Sequence, residues 1–119
     1  MDDALESLAV WTRSRTLAVN IYKMFTHCKD YGFKDQITRA AVSIPSNIAE
    51  GFERNSRKEF VYFLKVAKGS CAELRTQLYI SNDINLTDAE TTQFCIKESL
   101  AISKMLQGLI NRYTIKDNS

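Results

Sequence analysis

Few residues in this chain could perform chemistry, and they are scattered. His27 is the only histidine, and it stands beside Cys28, so this pair is the nearest approach to a nucleophile with its base. Both residues fall near the end of a helix-forming stretch, where structural roles are commoner than catalytic ones. A nucleophilic Ser46 or Ser70 would have no base within reach. We therefore expect a protein that is not an enzyme.

Metal and cofactor chemistry is also disfavoured. Four glutamates could gather in a helical core as they do in di-iron proteins, but the Glu-x-x-His motif of those proteins is absent. The three cysteines are widely spaced and form no CxxC pair, so they suit neither a zinc site nor a disulfide framework. We expect Cys28, Cys71 and Cys95 to be buried, reduced core residues. No metal and no cofactor is predicted.

One row of polar side chains is not explained by core packing. Its members step by three or four residues along one stretch, as residues on one face of a helix do. This polar stripe consists of Gln36, Arg39, Ser43, Asn47, Glu50 and Arg54. A later stretch offers Ser70 and Glu73 at a comparable pitch, beside a small Gly69. Such a stripe is either a solvated, ion-paired face or an interface or binding groove.

The positive charge is unevenly distributed. The net charge is only +2, but residues 13–75 hold 12 Lys or Arg against 6 Asp or Glu, whereas the rest hold 4 against 8. A basic excess of this kind indicates either an anionic partner or an ordinary solvated face.

Length and composition indicate one all-α domain. The chain has 119 residues, 45% of them hydrophobic. It contains only one Pro and four Gly, so the residues that form tight turns between strands are scarce. Apolar residues recur at helical spacing in four stretches, and we predict helices at about 5–28, 34–54, 56–81 and 87–114. Short connections favour an antiparallel, up-down-up-down bundle. No stretch is long and apolar enough for a membrane span, and we expect a cytoplasmic protein.

The apolar spacing also predicts which residues face the core. The predicted inward positions of the four helices are, in order, Val10, Leu17, Ile21, Met24 and Cys28; Ile37, Ala41, Ile44, Ile48 and Phe52; Phe60, Leu64, Ala67, Cys71, Leu74 and Leu78; and Cys95, Ile102, Leu106, Leu109 and Tyr113.

Local signals place some helix ends. Ser56 with Glu59, and Thr87 with Glu90, are spaced as capping boxes that begin the third and fourth helices. Pro45 lies inside the second helix and predicts a kink or a break near residues 42–44. We favour the kink, because the apolar period keeps its phase through the proline.

Two central segments carry a family resemblance. QITRAAVSIPSNIAEGFER (residues 36–54) and EFVYFLKVAKGSCAELRTQL (residues 59–78) resemble the four-helix-bundle family labelled ribosomal protein S23, which is encoded within intervening sequences of bacterial large-subunit ribosomal RNA genes. The shared pattern is an Arg-Ala-Ala step, a Ser, Asn-Ile-Ala-Glu-Gly, an Arg, a Phe-rich helix start, and Ala-x-Gly-Ser before Glu-Leu. Weaker agreement in VWTRSRTLAVNIYKMF (residues 10–25) and MLQGLINRY (residues 105–113) extends the resemblance toward both ends.

The resemblance implies a homopentameric barrel of four-helix bundles. It also implies kinship with the accessory variability determinant of diversity-generating retroelements, a basic pentamer that binds nucleic acid and a reverse transcriptase. Carried over to this chain, the oligomer interface comprises Gln36, Arg39, Ser43, Asn47, Glu50, Arg54, Ser70 and Glu73.

Two functional hypotheses follow. The first is a homo-oligomeric module that binds RNA, DNA or a nucleic-acid-processing protein through a basic surface, because phosphates require only cations facing one way. The contacts predicted for it are Arg13, Arg15, Lys34, Arg54, Arg57, Lys58, Lys65 and Lys68, to which Lys23, Arg39 and Arg75 are further candidates. The alternative is a protein-interaction scaffold whose polar stripe lies inside the oligomer and which binds no nucleic acid.

Overall fold

The computed structural model describes residues 5–117 and contains four long helices. They are α1 (Ala9–Met24), α2 (Tyr31–Glu53), α3 (Arg57–Asp83) and α4 (Ala89–Asp117), and a short 3-10 turn, Leu5–Ser7, precedes them. No strand occurs within this range, so the predicted all-α, four-helix fold is confirmed. The ends of the predicted 1–119 domain, residues 1–4 and 118–119, lie outside the described residues. None of the described helices is long and apolar enough to cross a membrane.

Helix α1 is shorter than the apolar pattern predicts. It begins at Ala9 and not near Leu5, because the preceding residues form a tighter turn in which the Leu8 N–H donates to the Leu5 carbonyl at 3.0 Å. It ends at Met24, four residues before the predicted end. The chain then turns so that the Phe25 ring packs on Phe33 of α2, with 6.0 Å between the ring centroids.

Helix α2 starts earlier than predicted and continues through its proline. The Asp30 side chain accepts a hydrogen bond from the Phe33 N–H at 3.1 Å, and this N-cap starts the helix at Tyr31, three residues before Lys34. From there α2 runs without interruption through Pro45 to Glu53. The continuity excludes a break, which was one of the two outcomes that the proline predicted.

Side-chain caps set the starts of α3 and α4. Ser56 accepts from the Glu59 N–H at 3.2 Å, as predicted for α3. The prediction for α4 was wrong: Asp88 and not Thr87 is the cap, because both the N–H and the hydroxyl of Thr91 donate to its carboxylate at 2.8 Å. These bonds favour the ionised carboxylate and lower the pKa of Asp88.

A left-handed asparagine ends α3. Asn85 has φ of 57°, a conformation that asparagine tolerates better than most residues. The Leu86 N–H donates to the Ser81 carbonyl at 2.9 Å, and the Asn85 N–H donates to the Asn82 carbonyl at 3.1 Å. This pair of bonds is the Schellman motif, which satisfies the last carbonyls of α3 and reverses the chain toward α4.

The core follows the predicted faces closely, with a small rotation of α4. All six inward positions predicted for α3 are buried. In α4 the buried line runs through Ser99, Ile102, Leu106 and Ile110, at steps of three, four and four residues. The predicted Leu109 and Tyr113 are only half-buried beside this line, and so are the predicted Met24 of α1 and Phe52 of α2. The four helices therefore share a single apolar core.

Helices α2 and α3 approach each other closely at Gly51. A β-carbon at this position would lie 2.6 Å from the Phe63 Cβ and 3.2 Å from the Phe60 Cδ1. The first distance is far inside van der Waals contact, and the Cβ of Phe63 moves only with the α3 backbone. Because glycine has no side chain, Gly51 allows α2 and α3 to approach this closely.

We predict that Gly51→Ala destabilises the fold by about 1–3 kcal/mol, because the added methyl group forces α2 and α3 apart. The matched control is Gly108→Ala in α4, where nothing lies within 4 Å of the added Cβ. There the higher helix propensity of alanine should stabilise the fold by about 0.5–1 kcal/mol. Urea unfolding measures both, and an equal gain for the two variants would contradict the close approach.

Candidate functional site

The middle of the polar stripe holds α2 and α3 together within one chain. The Ser43 and Ser70 hydroxyls are 2.7 Å apart. The Asn47 side-chain amide donates to the Ser43 carbonyl at 2.8 Å and to the Ser43 hydroxyl at 3.0 Å. Ser70 in turn donates to the Val66 carbonyl at 3.3 Å. A continuous hydrogen-bond chain thus runs from Asn47 through both serines, and we call it the serine bridge.

The lower end of the stripe is an ion-paired cluster. The Arg54 guanidinium donates to Glu50 at 2.7 Å and to Glu59 at 3.3 Å, and it lies over the Phe63 ring at 5.0 Å. The hydrogen bond to Glu50 raises the pKa of Arg54. All three charged side chains are half exposed, so the cluster adds little stability and chiefly orients the end of α2 against the start of α3.

The upper end of the stripe remains open to solvent. Gln36, Arg39 and Glu73 are exposed, and with Ser43 they line a shallow hollow of about 250 Å³ between α2 and α3. Arg39 pairs with Asp35 at 2.9 Å, one helical turn away, and this pair is largely exposed. The predicted oligomer-interface residues therefore divide into a bonded group inside the chain and an accessible group around this hollow. Contact with another subunit stays a prediction.

The predicted nucleic-acid contacts do not form one surface. Arg13 is engaged by Glu98 of α4 through two hydrogen bonds, of 2.7 and 2.9 Å, which raise the pKa of Arg13. Arg54 is held in the cluster described above. Arg15 lies over the Trp11 ring at 5.2 Å, and the Lys34 ammonium donates to the Thr26 carbonyl at 3.3 Å, both on the side of the bundle where α1 meets α2.

Three of the predicted lysines do lie together on α3. Lys58, Lys65 and Lys68 are seven and three residues apart, which places them on one side of the helix. The Lys68 ammonium donates to the Gln107 side-chain carbonyl of α4 at 2.6 Å. Lys104 lies three residues before Gln107 and extends the positive charge onto α4. We call these four lysines the α3–α4 basic surface.

The α3–α4 basic surface contains a concave region with few nearby acids. Lys65, Lys68 and Gln107 edge a hollow of about 460 Å³ whose other lining residues are Gly69, Ala72 and Ile110. The sequence from Ser99 to Lys116 contains no Asp or Glu. On α3, Glu59 pairs with Arg54, and Glu73 lines the other hollow, between α2 and α3, together with Arg39. A polyanion would therefore meet uncompensated lysines here.

Sequence reasoning missed the contribution of α4 to this surface. Lys104 and Arg112 lie outside residues 13–75, in the part of the chain that is acidic overall, so the uneven charge distribution did not point to them. The signal that could have found them is the acid-free run before Asp117. At that end of the bundle, the guanidinium groups of Arg112 and Arg57 each lie 5.8 Å from the centre of the Tyr113 ring.

The three cysteines are free thiols, and two of them are buried. Cys71 and Cys95 are buried, and burial raises their thiol pKa values to about 12 and about 11, so neither is a ready nucleophile. Cys28 is only half-buried, which corrects the prediction of a core position, and its thiol faces the Asp30 carbonyl at 3.7 Å. Within residues 5–117, no three His, Cys, Asp or Glu side chains are grouped to hold a metal ion.

Comparison with known proteins places the chain in a family. A model of the "23S rRNA-intervening sequence protein" family matches residues 6–108. A crystal structure of a protein with unknown function from the S23 ribosomal protein family of Bacteroides thetaiotaomicron is similar, with a TM-score of 0.80 and 27% sequence identity over 86% of this chain and 98% of that one. No curated protein matches the chain significantly. The sequence match and the shared fold agree, and the chain therefore belongs to the family of 23S rRNA-intervening sequence proteins, the S23 ribosomal protein family.

Proposed function

We propose that this protein is a non-enzymatic, homo-oligomeric helical module that binds nucleic acid through the α3–α4 basic surface. The observation that carries the proposal is that Lys65 and Lys68 edge a hollow, with Lys58 on the same side of α3, Lys104 on the neighbouring α4, and no carboxylate between Ser99 and Lys116 to neutralise them. Lysine ammonium groups in such a group contact phosphates and displace the counterions that condense on a nucleic acid.

The recognition is of the backbone and not of the bases. Phosphate contacts fix the position of a protein on a duplex or strand but carry no sequence information. The four helices are too long and too closely packed to present a helix-turn-helix reading head. Aromatic stacking contributes at most at the end of the bundle, where the guanidinium groups of Arg57 and Arg112 lie near the Tyr113 ring. Binding should therefore be weakly sequence-dependent and strongly salt-dependent.

The proposed helix order is antiparallel, up-down-up-down. Pairs of contacting residues support it: Ser43 meets Ser70 while Gly51 faces Phe60, so one number rises as its partner falls. The same holds between α3 and α4, where Lys68 meets Gln107 and Phe60 meets Tyr113. This order places α3 and α4 side by side along their length, which the basic surface requires.

We propose that the oligomer is a pentamer, as the family resemblance implies. Its subunits contact one another through the open part of the polar stripe. Gln36, Arg39 and Glu73 surround a polar hollow that a neighbouring subunit can fill. Charged and amide side chains of this kind give an interface its register more than its affinity.

The alternative is a protein-interaction scaffold that binds no nucleic acid. The observation that favours it is that Arg13 and Arg54, two of the predicted phosphate contacts, already have carboxylate partners within the chain. A guanidinium that is neutralised in this way adds little to the binding of a polyanion.

The first test reverses the charge on the α3–α4 basic surface. We predict that Lys58→Glu/Lys65→Glu weakens binding to mixed-sequence RNA or duplex DNA by roughly tenfold or more, and that wild-type affinity falls steeply between about 50 and 200 mM salt. Fluorescence anisotropy measures both. The matched control, Arg15→Glu/Lys23→Glu, changes the net charge equally on the α1 side. Absence of wild-type binding at low salt, or equal losses in both variants, would leave the scaffold as the better account.

The second test concerns assembly. We predict that light scattering finds the wild-type protein at about five times its 13.6 kDa chain mass at micromolar concentration. Glu73→Arg places a second cation beside Arg39 in the shared hollow and should reduce the mass toward that of one chain. The same substitution at the exposed Glu90, in the first turn of α4, should leave the mass unchanged. A wild-type monomer would remove the oligomer from the proposal.

A further inference from the structure

A groove between α1 and α2 is lined mainly by apolar atoms. Val19 and Tyr22 of α1 and Val42 and Pro45 of α2 form its apolar surface, and its volume is about 560 Å³, within the range of ligand-binding pockets. Ala18 and Thr26 complete the lining between them. We call it the α1–α2 groove. It lies on a different pair of helices from the α3–α4 basic surface.

The apolar side chains of the α1–α2 groove are exposed together. Val19 is 46% exposed, Tyr22 51% and Val42 39%. Single exposed hydrophobic residues are ordinary on protein surfaces, but several that line one concave region mark a binding site. Pro45 adds to the region, since its ring projects from α2 and supplies no N–H to the Ala41 carbonyl.

The rim of the α1–α2 groove is positively charged. Arg15, Lys23 and Lys34 border it, and none of its lining residues is acidic. Asp35 lies in the adjoining hollow, where Arg39 already holds it at 2.9 Å. An occupant must therefore be apolar on the side that enters the groove and negatively charged on its flanks.

The lining residues run along α1 in steps that match another helix. Arg15, Val19 and Tyr22 are spaced by four and three residues, a distance of about 10 Å along α1 at 1.5 Å per residue, and Thr26 lies in the turn that follows the helix. Roughly two turns of a partner helix fit against this part of α1. A single-stranded nucleic acid fits less well, because strand binding uses successive aromatic rings and this groove contains only Tyr22.

We infer that the α1–α2 groove docks an amphipathic helix of another protein, with its apolar face on Val19, Tyr22 and Val42 and its acidic residues beside Arg15, Lys23 and Lys34. This is the helix-in-groove mode of peptide recognition, in which residues at i, i+3 or i+4 and i+7 are the anchors. The site does not depend on the nucleic-acid proposal; together with the proposed α3–α4 basic surface, it would let the protein bridge a polyanion and a protein partner.

The test is selection from a displayed library of random peptides of about 15 residues, roughly the shortest length at which isolated helices form. Wild-type protein should enrich peptides with apolar residues at helical spacing and flanking Asp or Glu. Binding of the enriched peptides should fall at least about tenfold for Arg15→Glu/Lys23→Glu and for Val42→Glu, as expected when hot-spot contacts are lost. Lys58→Glu/Lys65→Glu is the control and should bind them normally.

Three results would overturn the inference. The first is enrichment of peptides that lack acidic residues. The second is enrichment of peptides that bind the groove variants as tightly as they bind the wild type. The third is a change in oligomeric mass of Val42→Glu or Val19→Glu in light scattering, which would assign the groove to contacts between copies of this chain. Both valines are partly exposed, so we expect their substitution to leave the core intact. Unchanged melting temperatures will verify that the variants fold. The groove variants should bind nucleic acid as the wild type does, because the α3–α4 basic surface is unchanged in them. Failure of the groove inference is therefore measured separately from failure of the nucleic-acid proposal.

Discussion

Helices α2 and α3 lie so close at Gly51 that a β-carbon there would be 2.6 Å from the Phe63 Cβ. One and two turns before Gly51, Asn47 and Ser43 of α2 form the serine bridge with Ser70 of α3. Close approach and hydrogen bonding reinforce each other, because the hydroxyls meet at 2.7 Å only if the helices are near. The other helices pack against this pair. The positions of both proposed binding surfaces therefore depend on it.

The helix pair also gives a physical meaning to the residues that carry the family resemblance. In the segment Asn-Ile-Ala-Glu-Gly, the Asn belongs to the serine bridge, the Glu orients Arg54, and the Gly permits the close approach. In the segment Ala-x-Gly-Ser, Ser70 completes the bridge, whereas Gly69 has open space beside it. Much of the pattern thus serves packing within one chain, and a smaller part is available for contacts with others.

Apolar spacing was sufficient to predict the four helices and most of the core, because burial of one helical face is a strong and local signal. The ends were harder. Asp88 competes with Thr87 for the capping position of α4, and Asp30 caps α2 three residues before the apolar pattern places its start. Pro45 did not break α2, since the buried Ile44 and Ile48 hold both sides of it in the core.

The candidate surfaces were only partly predictable, because they depend on contacts between residues that are far apart in the sequence. Arg13 was a reasonable phosphate contact until folding brought Glu98, 85 residues later, within 2.7 Å. Lys104 gained importance only because Gln107, three residues after it on α4, is bonded to Lys68 of α3. The α1–α2 groove was not foreseen, because Val19 and Val42 belong to different helices and neither departs from an ordinary helical pattern. Pairing between distant segments decides which charges remain free.

A double-mutant cycle on Ser43 and Ser70 tests most directly whether the serine bridge holds α2 against α3. Unfolding free energies are measured in urea for wild type, Ser43→Ala, Ser70→Ala and the double variant. Each single change should destabilise the fold by about 1–3 kcal/mol, since it leaves a partner unsatisfied, and the double variant should cost less than the sum by about 0.5–1.5 kcal/mol. Strictly additive losses would contradict the account, because the two hydroxyls would then be energetically independent.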